Sequence, residues 1–171
     1  MGSVVYLSLG SNLGDRVANL AHAIELLREI GSVDAVSRLF ETEPVEYTNQ
    51  PWFVNCAVAV TTSLTPSHLI ARLLKLEEEM GRRRNQAKGP REIDLDILLF
   101  GDDVIDTPEL TVPHPAMHKR RFVLEPLAEI APHVLHPVLR QSIEQLRDAL
   151  PPGPPVVRRF PANDESGKLG K

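Results

Sequence analysis

The sequence predicts an α+β fold: a ferredoxin-like βαββαβ core, a two-layer to three-layer sandwich, with a loop-rich C-terminal extension. Three observations carry this. Four strand-like apolar stretches, at residues 4–9, 33–41, 53–62 and 92–100, are interleaved with two helical apolar stripes in the order β-α-β-β-α-β. None of the 15 prolines lies before Pro44, between Pro66 and Pro90, or between Pro90 and Pro108. These free stretches can hold regular structure, because proline lacks the N–H that helix interiors and central strands need. Finally, 171 residues with 42% apolar and 25% charged side chains suit one domain with a real core.

Each element has a local reason. Residues 4–9 (VVYLSL) are a short apolar run, β-branched at its start, that stops at Gly10. Residues 10–14 read as a loop. Residues 15–30 carry Val17, Leu20, Ile24 and Leu27 at spacings of three and four, with Gly31 as a suitable residue beyond the helix end. Residues 33–41 read as the second strand. Residues 53–62 alternate, with Val54, Cys56, Val58 and Val60 on one face. Thr65-Pro66 opens the second helix as N-cap and N1, and Leu69, Leu73, Leu76 and Met80 form its stripe. In 92–100, Ile93, Leu95, Ile97 and Leu99 are expected on one face and Glu92, Asp94 and Asp96 on the other. Gly101-Asp102-Asp103 reads as a hairpin turn. Residues 101–150 are expected to be loop-rich, with a helix over 142–150. Residues 1–150 are read as one domain, and the Pro-rich segment 151–171 as an extended, flexible tail. Tyr6, Phe40 and Cys56 are assigned to the core.

Composition excludes several functions. A net charge of −4 speaks against a broad nucleic-acid surface. No apolar run approaches the roughly 18 residues of a membrane span, and residues 1–9 lack the basic start of a secretion signal. One cysteine makes neither an internal disulfide nor a zinc site, so a cytoplasmic setting is expected.

The charge is unevenly placed. Residues 81–91 carry Arg82, Arg83, Arg84, Lys88 and Arg91 and no acid, whereas residues 92–109 carry seven acids and no base. In a strand, Asp94 and Asp96 share a face about 6.6 Å apart along the chain. Oxygen-only ligands at that spacing suit Mg²⁺, which keeps waters and takes up phosphate oxygens. Two such ions about 4 Å apart can clamp a transferring phosphoryl group. Alternating acids on an amphipathic strand are also common as a solvated face, and a basic loop is commonly solvated too. The two together favour a magnesium–triphosphate site, with arginines holding phosphate oxygens. The stretch at residues 10–14 lacks the Gly-Lys-Ser/Thr of a P-loop, so a tight turn with a helix cap is the better reading. His114, between two prolines, could touch a phosphate, and Trp52, Phe53 and Phe122 could stack a flat ring. For a lone histidine and for scarce aromatics, structural roles are the commoner ones.

Residues 89–98, Gly-Pro-Arg-Glu-Ile-Asp-Leu-Asp-Ile-Leu, closely resemble the signature of the 6-hydroxymethyl-7,8-dihydropterin pyrophosphokinases of folate biosynthesis. Four further blocks resemble that family in order: residues 9–14, Gln50-Pro51-x-Phe53-x-Asn55, residues 112–115 and residues 121–127. The resemblance implies transfer of pyrophosphate from ATP to the hydroxymethyl group of the pterin, with release of AMP. It implies two Mg²⁺ ions on Asp94 and Asp96, and phosphate contacts and assistance from Arg82 and Arg91 with Arg84 as helper. The pterin is expected between Phe53 and Phe122, its polar edge read by Asn55 and by backbone around Thr42 and Val45. Thr111, His114 and Arg120 are expected on the ATP side, together with Glu77. The polar, glycine-flanked loop at residues 82–90 is expected to close over both substrates. A monomer acting only on small molecules is expected. Two other readings fit the bare residues: a palm-type nucleotidyl transferase, which would release pyrophosphate, and a non-catalytic ferredoxin-like binding module.

Overall fold

The structure, a computed structural model, describes residues 2–43, 51–81, 92–152 and 157–159. Strand β1 (Ser3–Ser11) leads to helix α1 (Arg16–Leu27), strands β2 (Ser32–Val36), β3 (Phe40–Thr42) and β4 (Phe53–Thr62), helix α2 (Pro66–Glu79) and strand β5 (Asp94–Phe100). A short ribbon follows, of β6 (Ile105–Asp106) and β7 (Thr111–Val112), then α3 (Arg121–Ile130), α4 (Ile143–Asp148) and β8 (Val157–Arg159). The main sheet has the order β5-β1-β4-β3-β8, with β2 pairing β4 beside β3, and every pairing is antiparallel. This is the predicted split βαβ order, with β2 and β3 together filling one strand position. Among the described residues, no helix is long and apolar enough to cross a membrane.

The helices begin where the sequence chemistry puts them. Asp15 accepts the Ala18 N–H, and Thr65 accepts the His68 N–H with Pro66 directly behind it. Both satisfy amides that a helix start leaves open. Ser142 and Gln145 form a reciprocal capping box at α4.

The sheet has a core on each face. Val5, Leu7, Leu9, Val54, Cys56, Val58, Val60, Leu95 and Ile97 pack against the stripes of α1 and α2. Ala57, Leu98 and Leu99 pack under α3 and α4 with Met117, Leu124 and Leu127. The protein is therefore a three-layer sandwich.

Several features depart from the expected pattern. Residues 157–159, inside the segment expected to be a flexible tail, form β8 on the free edge of β3, because that three-residue strand leaves backbone donors and acceptors open there. The strand at 33–41 is broken between Val36 and Phe40. At the break the Ser37 hydroxyl accepts the Ala57 N–H, and the Ser37 N–H donates to the Ala57 carbonyl, so the ladder continues through a side chain. Opposite β1, the register slips between Tyr6 and Leu7, which pair with Leu99 and Ile97. The extra residue, Leu98, is a bulge that turns Leu99 to the α3 face and brings Phe100 into the α1–α2 core, reversing the expected facing of Leu99. Helix α3, in a region read as loop, holds Pro126 in its interior. An internal proline removes a helix hydrogen bond, and here the burial of Val123, Leu124, Leu127 and Ala128 outweighs it. Gly101 has φ of 54° and does turn the chain, with the Asp103 N–H on the Phe100 carbonyl. The strand beyond it pairs with β7, however, and not back onto β5.

Candidate functional site

The site is built on the sheet face opposite α1 and α2, where the sheet turns polar. Cross-strand pairing fixes its layout. Asp94, Gly10, Asn55 and Phe40 stand opposite one another in a single row across β5, β1, β4 and β3. The next row holds Asp96, Ser8 and Ala57, and on the other side Phe53 stands opposite Thr42. Directly paired residues of antiparallel strands share a face. Asp94 and Asp96 are thus together on one face, half-buried, while Leu95 between them is buried in the opposite core. With neighbouring strands about 4.8 Å apart, Asp94 and Asn55 stand roughly 10 Å apart across Gly10.

Asn55 is buried, and its amide is oriented by two partners. The Thr42 hydroxyl donates to Asn55 Oδ1 at 2.5 Å, and Asn55 Nδ2 donates to the Leu9 carbonyl at 3.4 Å. Thr42 is itself only 2% exposed. The amide keeps one N–H and one lone pair for a ligand, the complement of a lactam-like edge. Gly10 is required beneath it: a Cβ there would fall 2.5 Å from Asn55 Nδ2 and 3.3 Å from Phe53 Cδ1. Phe53 is half-buried on this face. Phe122 is half-buried too, on the helix that packs over the same face, and the Arg120 guanidinium lies 5.5 Å from its ring centre.

His114 joins the acidic end to the basic one. Its N–H donates to the carbonyl of the bulged Leu98, and its Nδ1 accepts the Ala116 N–H at 3.1 Å. Burial holds its pKa below the usual 6.5, and the positive charge of Arg120 lowers it further, while Asp94 acts in the opposite sense. The ring is therefore neutral near pH 7, with its proton on Nε2 as a donor. Thr111 is exposed on the β6–β7 ribbon, its hydroxyl within 3.5 Å of Asp106.

Glu77 is 3% exposed, and its Oε2 accepts the Leu95 N–H at 2.7 Å. Strand β5 is the outer strand of the sheet. The carboxylate therefore satisfies a backbone donor that faces away from β1, midway between the two aspartates. Arg82, Arg84, Arg91, Val45 and the loop at residues 82–90 lie outside the described residues.

Two residues that the sequence reading passed over position the site. Asn12 Nδ2 donates to the Pro51 carbonyl at 3.0 Å, and Arg16 donates to the Trp52 carbonyl at 2.8 Å while pairing with Glu41 at 3.3 Å. The Gly10–Gly14 stretch thus latches the segment that delivers Phe53, and Gly10 and Ser11 belong to β1 itself. A buried polar residue just past an apolar strand is the signal that marks Asn12. Cys56 is fully buried, which pushes its thiol up to about 12 and leaves it inert.

As a cation site, Asp94 and Asp96 supply hard carboxylate oxygens on one face. Among the described residues no group of three or more His, Cys, Asp or Glu side chains gathers to hold a metal. The pair fits an ion such as Mg²⁺, whose remaining positions go to water and phosphate oxygens.

Residues 6–132 match the model of the family described as 7,8-dihydro-6-hydroxymethylpterin-pyrophosphokinase (HPPK). A 2-amino-4-hydroxy-6-hydroxymethyldihydropteridine pyrophosphokinase of Aquifex aeolicus is 43% identical over 145 residues, covering 85% of this chain and 91% of the relative. One of Bacillus subtilis is 47% identical over 136 residues, covering 78% of this chain and 81% of the relative. A crystal structure of Plasmodium falciparum HPPK-DHPS, wild type with pteroate, superposes with a TM-score of 0.72 at 20% identity. That match covers 86% of this chain and 42% of the solved one, so the chain spans less than half of it, and the likeness is one of fold.

Proposed function

The chain belongs to the 7,8-dihydro-6-hydroxymethylpterin-pyrophosphokinase family, and from that premise we propose how its own residues divide the work. The protein transfers pyrophosphate from ATP to the hydroxymethyl group of 6-hydroxymethyl-7,8-dihydropterin and releases AMP, a step of folate biosynthesis. The observation that carries the residue assignment is the row Asp94–Gly10–Asn55. It sets a cation-binding carboxylate and a pterin-reading amide two strands apart, with no side chain between them.

Asp94 and Asp96 would hold Mg²⁺, as two ions, beside the phosphates of ATP. When bound, the ions offset phosphate charge and orient the chain of phosphoryl groups. His114 donates from Nε2 toward an ATP phosphate, and Arg120 and Thr111 lie on the same side. Asn55 reads the polar edge of the pterin, supported by Thr42 and by backbone about Val45, and Phe53 and Phe122 cover the two faces of its ring. Arg82 and Arg91, helped by Arg84, take their roles from the family resemblance, contacting the phosphates and stabilising charge as the bond to the α-phosphate breaks. Glu77 serves the ATP side through β5, by holding the strand that carries both aspartates. This chemistry needs positioning and charge stabilisation more than a strong base. Residues 1–150 act as one pyrophosphokinase domain, to whose sheet β8, from the segment beyond, adds an edge strand. A monomer suits two small substrates, and ATP as co-substrate with a lone buried thiol suits the cytoplasm.

The test is incubation with ATP, Mg²⁺ and the hydroxymethyl dihydropterin, following AMP against pterin consumption. AMP is expected to appear one for one, and Asp94→Asn or Asp96→Asn to lower kcat by about a hundredfold or more with little loss of stability. Wild-type rates in both variants would sink the metal assignment, and pyrophosphate in place of AMP would overturn the reaction.

A further inference from the structure

We propose that the C-terminal strand β8 is a positioning element for pterin recognition, holding β3 so that Thr42 fixes the amide of Asn55. The proposal rests on the reading that Asn55 binds the pterin.

Strand β3 has only three residues, and β4 covers one of its edges. Its other edge is covered by β8, with Phe40 opposite Arg159, Glu41 opposite Arg158 and Thr42 opposite Val157. A strand this short gains little from a single neighbour, and an open edge leaves its amides to water. Thr42 is the last residue of β3, where such a strand frays first. Yet the hydroxyl of Thr42 chooses which end of the Asn55 amide faces the pocket. If Thr42 shifts, only the long 3.4 Å bond from Asn55 Nδ2 to the Leu9 carbonyl still orients the amide, and a turn of the amide exchanges its donor and acceptor.

Other contacts hold β3 without doing this job. The Arg16–Glu41 pair lies on the opposite side of the strand, because Glu41 alternates with Thr42. At the far end of β3, Glu129 of α3 accepts the Arg38 N–H at 2.9 Å and lies 3.9 Å from the Arg159 guanidinium. That pair is largely exposed, so it guides the tail more than it binds it. The pairing of Val157 with Thr42 is what reaches the pocket end.

The experiment uses the full chain with Val157→Pro and, separately, Arg158→Pro. Successive N–H groups of a strand point to opposite sides, so only one of these prolines removes a bond to β3. Three quantities are read: hydrogen exchange at the amides of residues 40–42, Kd for the dihydropterin with a non-hydrolysable ATP analogue present, and Kd for that analogue alone. In the variant that breaks the ladder, exchange is expected to speed up and the pterin Kd to rise about tenfold, the cost of one misoriented hydrogen-bonding group. The analogue Kd should stay within about twofold, and the other variant should match the parent.

An unchanged pterin Kd despite lost protection would overturn the proposal, as would equal loss of both affinities, which marks general destabilisation. Unaltered exchange in both variants would show that β8 does not hold β3. Dimerisation of the broken-ladder variant with normal affinity would reduce β8 to edge protection. A parent chain that fails to bind the pterin would overturn the functional reading instead, and that failure appears before any substitution is made.

Discussion

At Gly10 one missing carbon decides the shape of the pocket. Its neighbours are side-chain atoms, which often move aside, but the Asn55 amide is held at both ends by Thr42 and the Leu9 carbonyl. A methyl group at Gly10 must therefore displace Asn55 or Phe53. Gly10→Ala is expected to raise the KM for the pterin by about tenfold and to change the KM for ATP much less, as steady-state kinetics would show. An equal rise in both would mean that the whole β1 edge had moved. The residue scale is also where the sequence was most legible. The i, i+2 spacing of Asp94 and Asp96 put both carboxylates on one face, because strand periodicity is local. Asn12 and Arg16 were not legible, since their partners are the carbonyls of residues 51 and 52, about forty positions away.

At the scale of elements, helix α2 and strand β5 meet through Glu77. The outer strand of a sheet has amides with no strand to receive them, and here a helix side chain takes the one between the two aspartates. Glu77→Ala leaves the Leu95 N–H buried without that acceptor, an expected loss of about 2 kcal/mol of stability by denaturant unfolding. It should also raise the Mg²⁺ concentration needed for half-maximal rate, because the aspartates lose their common support. Glu77→Gln keeps an acceptor and should be milder in both measurements. If Ala and Gln behave alike, the charge of Glu77 matters more than its hydrogen bond. The same scale explains the two elements that periodicity misread. Pro126 interrupts the pattern of α3, so only the buried face made by tertiary packing reveals the helix. The Leu98 bulge shifts the β5 pattern by one residue, and a bulge leaves no mark in an apolar run such as Ile97-Leu98-Leu99-Phe100.

For the whole molecule, three layers bury histidines as well as hydrocarbon. His114 and His136 are both held below the usual 6.5, chiefly by burial, with Arg120 adding to the effect at His114 and His118 at His136. The unfolded chain takes up protons at these positions first as pH falls. Stability from this source is thus full above about 6.5, declines between 6.5 and the lowered folded values, and is level below them. Tm measured from about pH 7.5 down to 5.5 should fall accordingly. In His136→Asn the amide oxygen can replace Nδ1 as acceptor for the Val138 and Leu139 N–H groups, so part of that slope should vanish while the loop stays folded. A slope unchanged in this variant would assign it to other groups. The net charge of −4 belongs to this scale too: it averages a basic segment at residues 82–91 and an acidic one at residues 92–109. By itself the sequence determined the order of the core elements, their inward faces except at the end of β5, and the acidic pair, because these follow from periodicity and short-range spacing. Tertiary structure alone decided the third layer under α3, the split of the second strand at Ser37, the row from Asp94 to Asn55 and the seat of β8 on β3. Each of these depends on which distant backbone amides and carbonyls come to share an edge, and no local pattern of side chains encodes that.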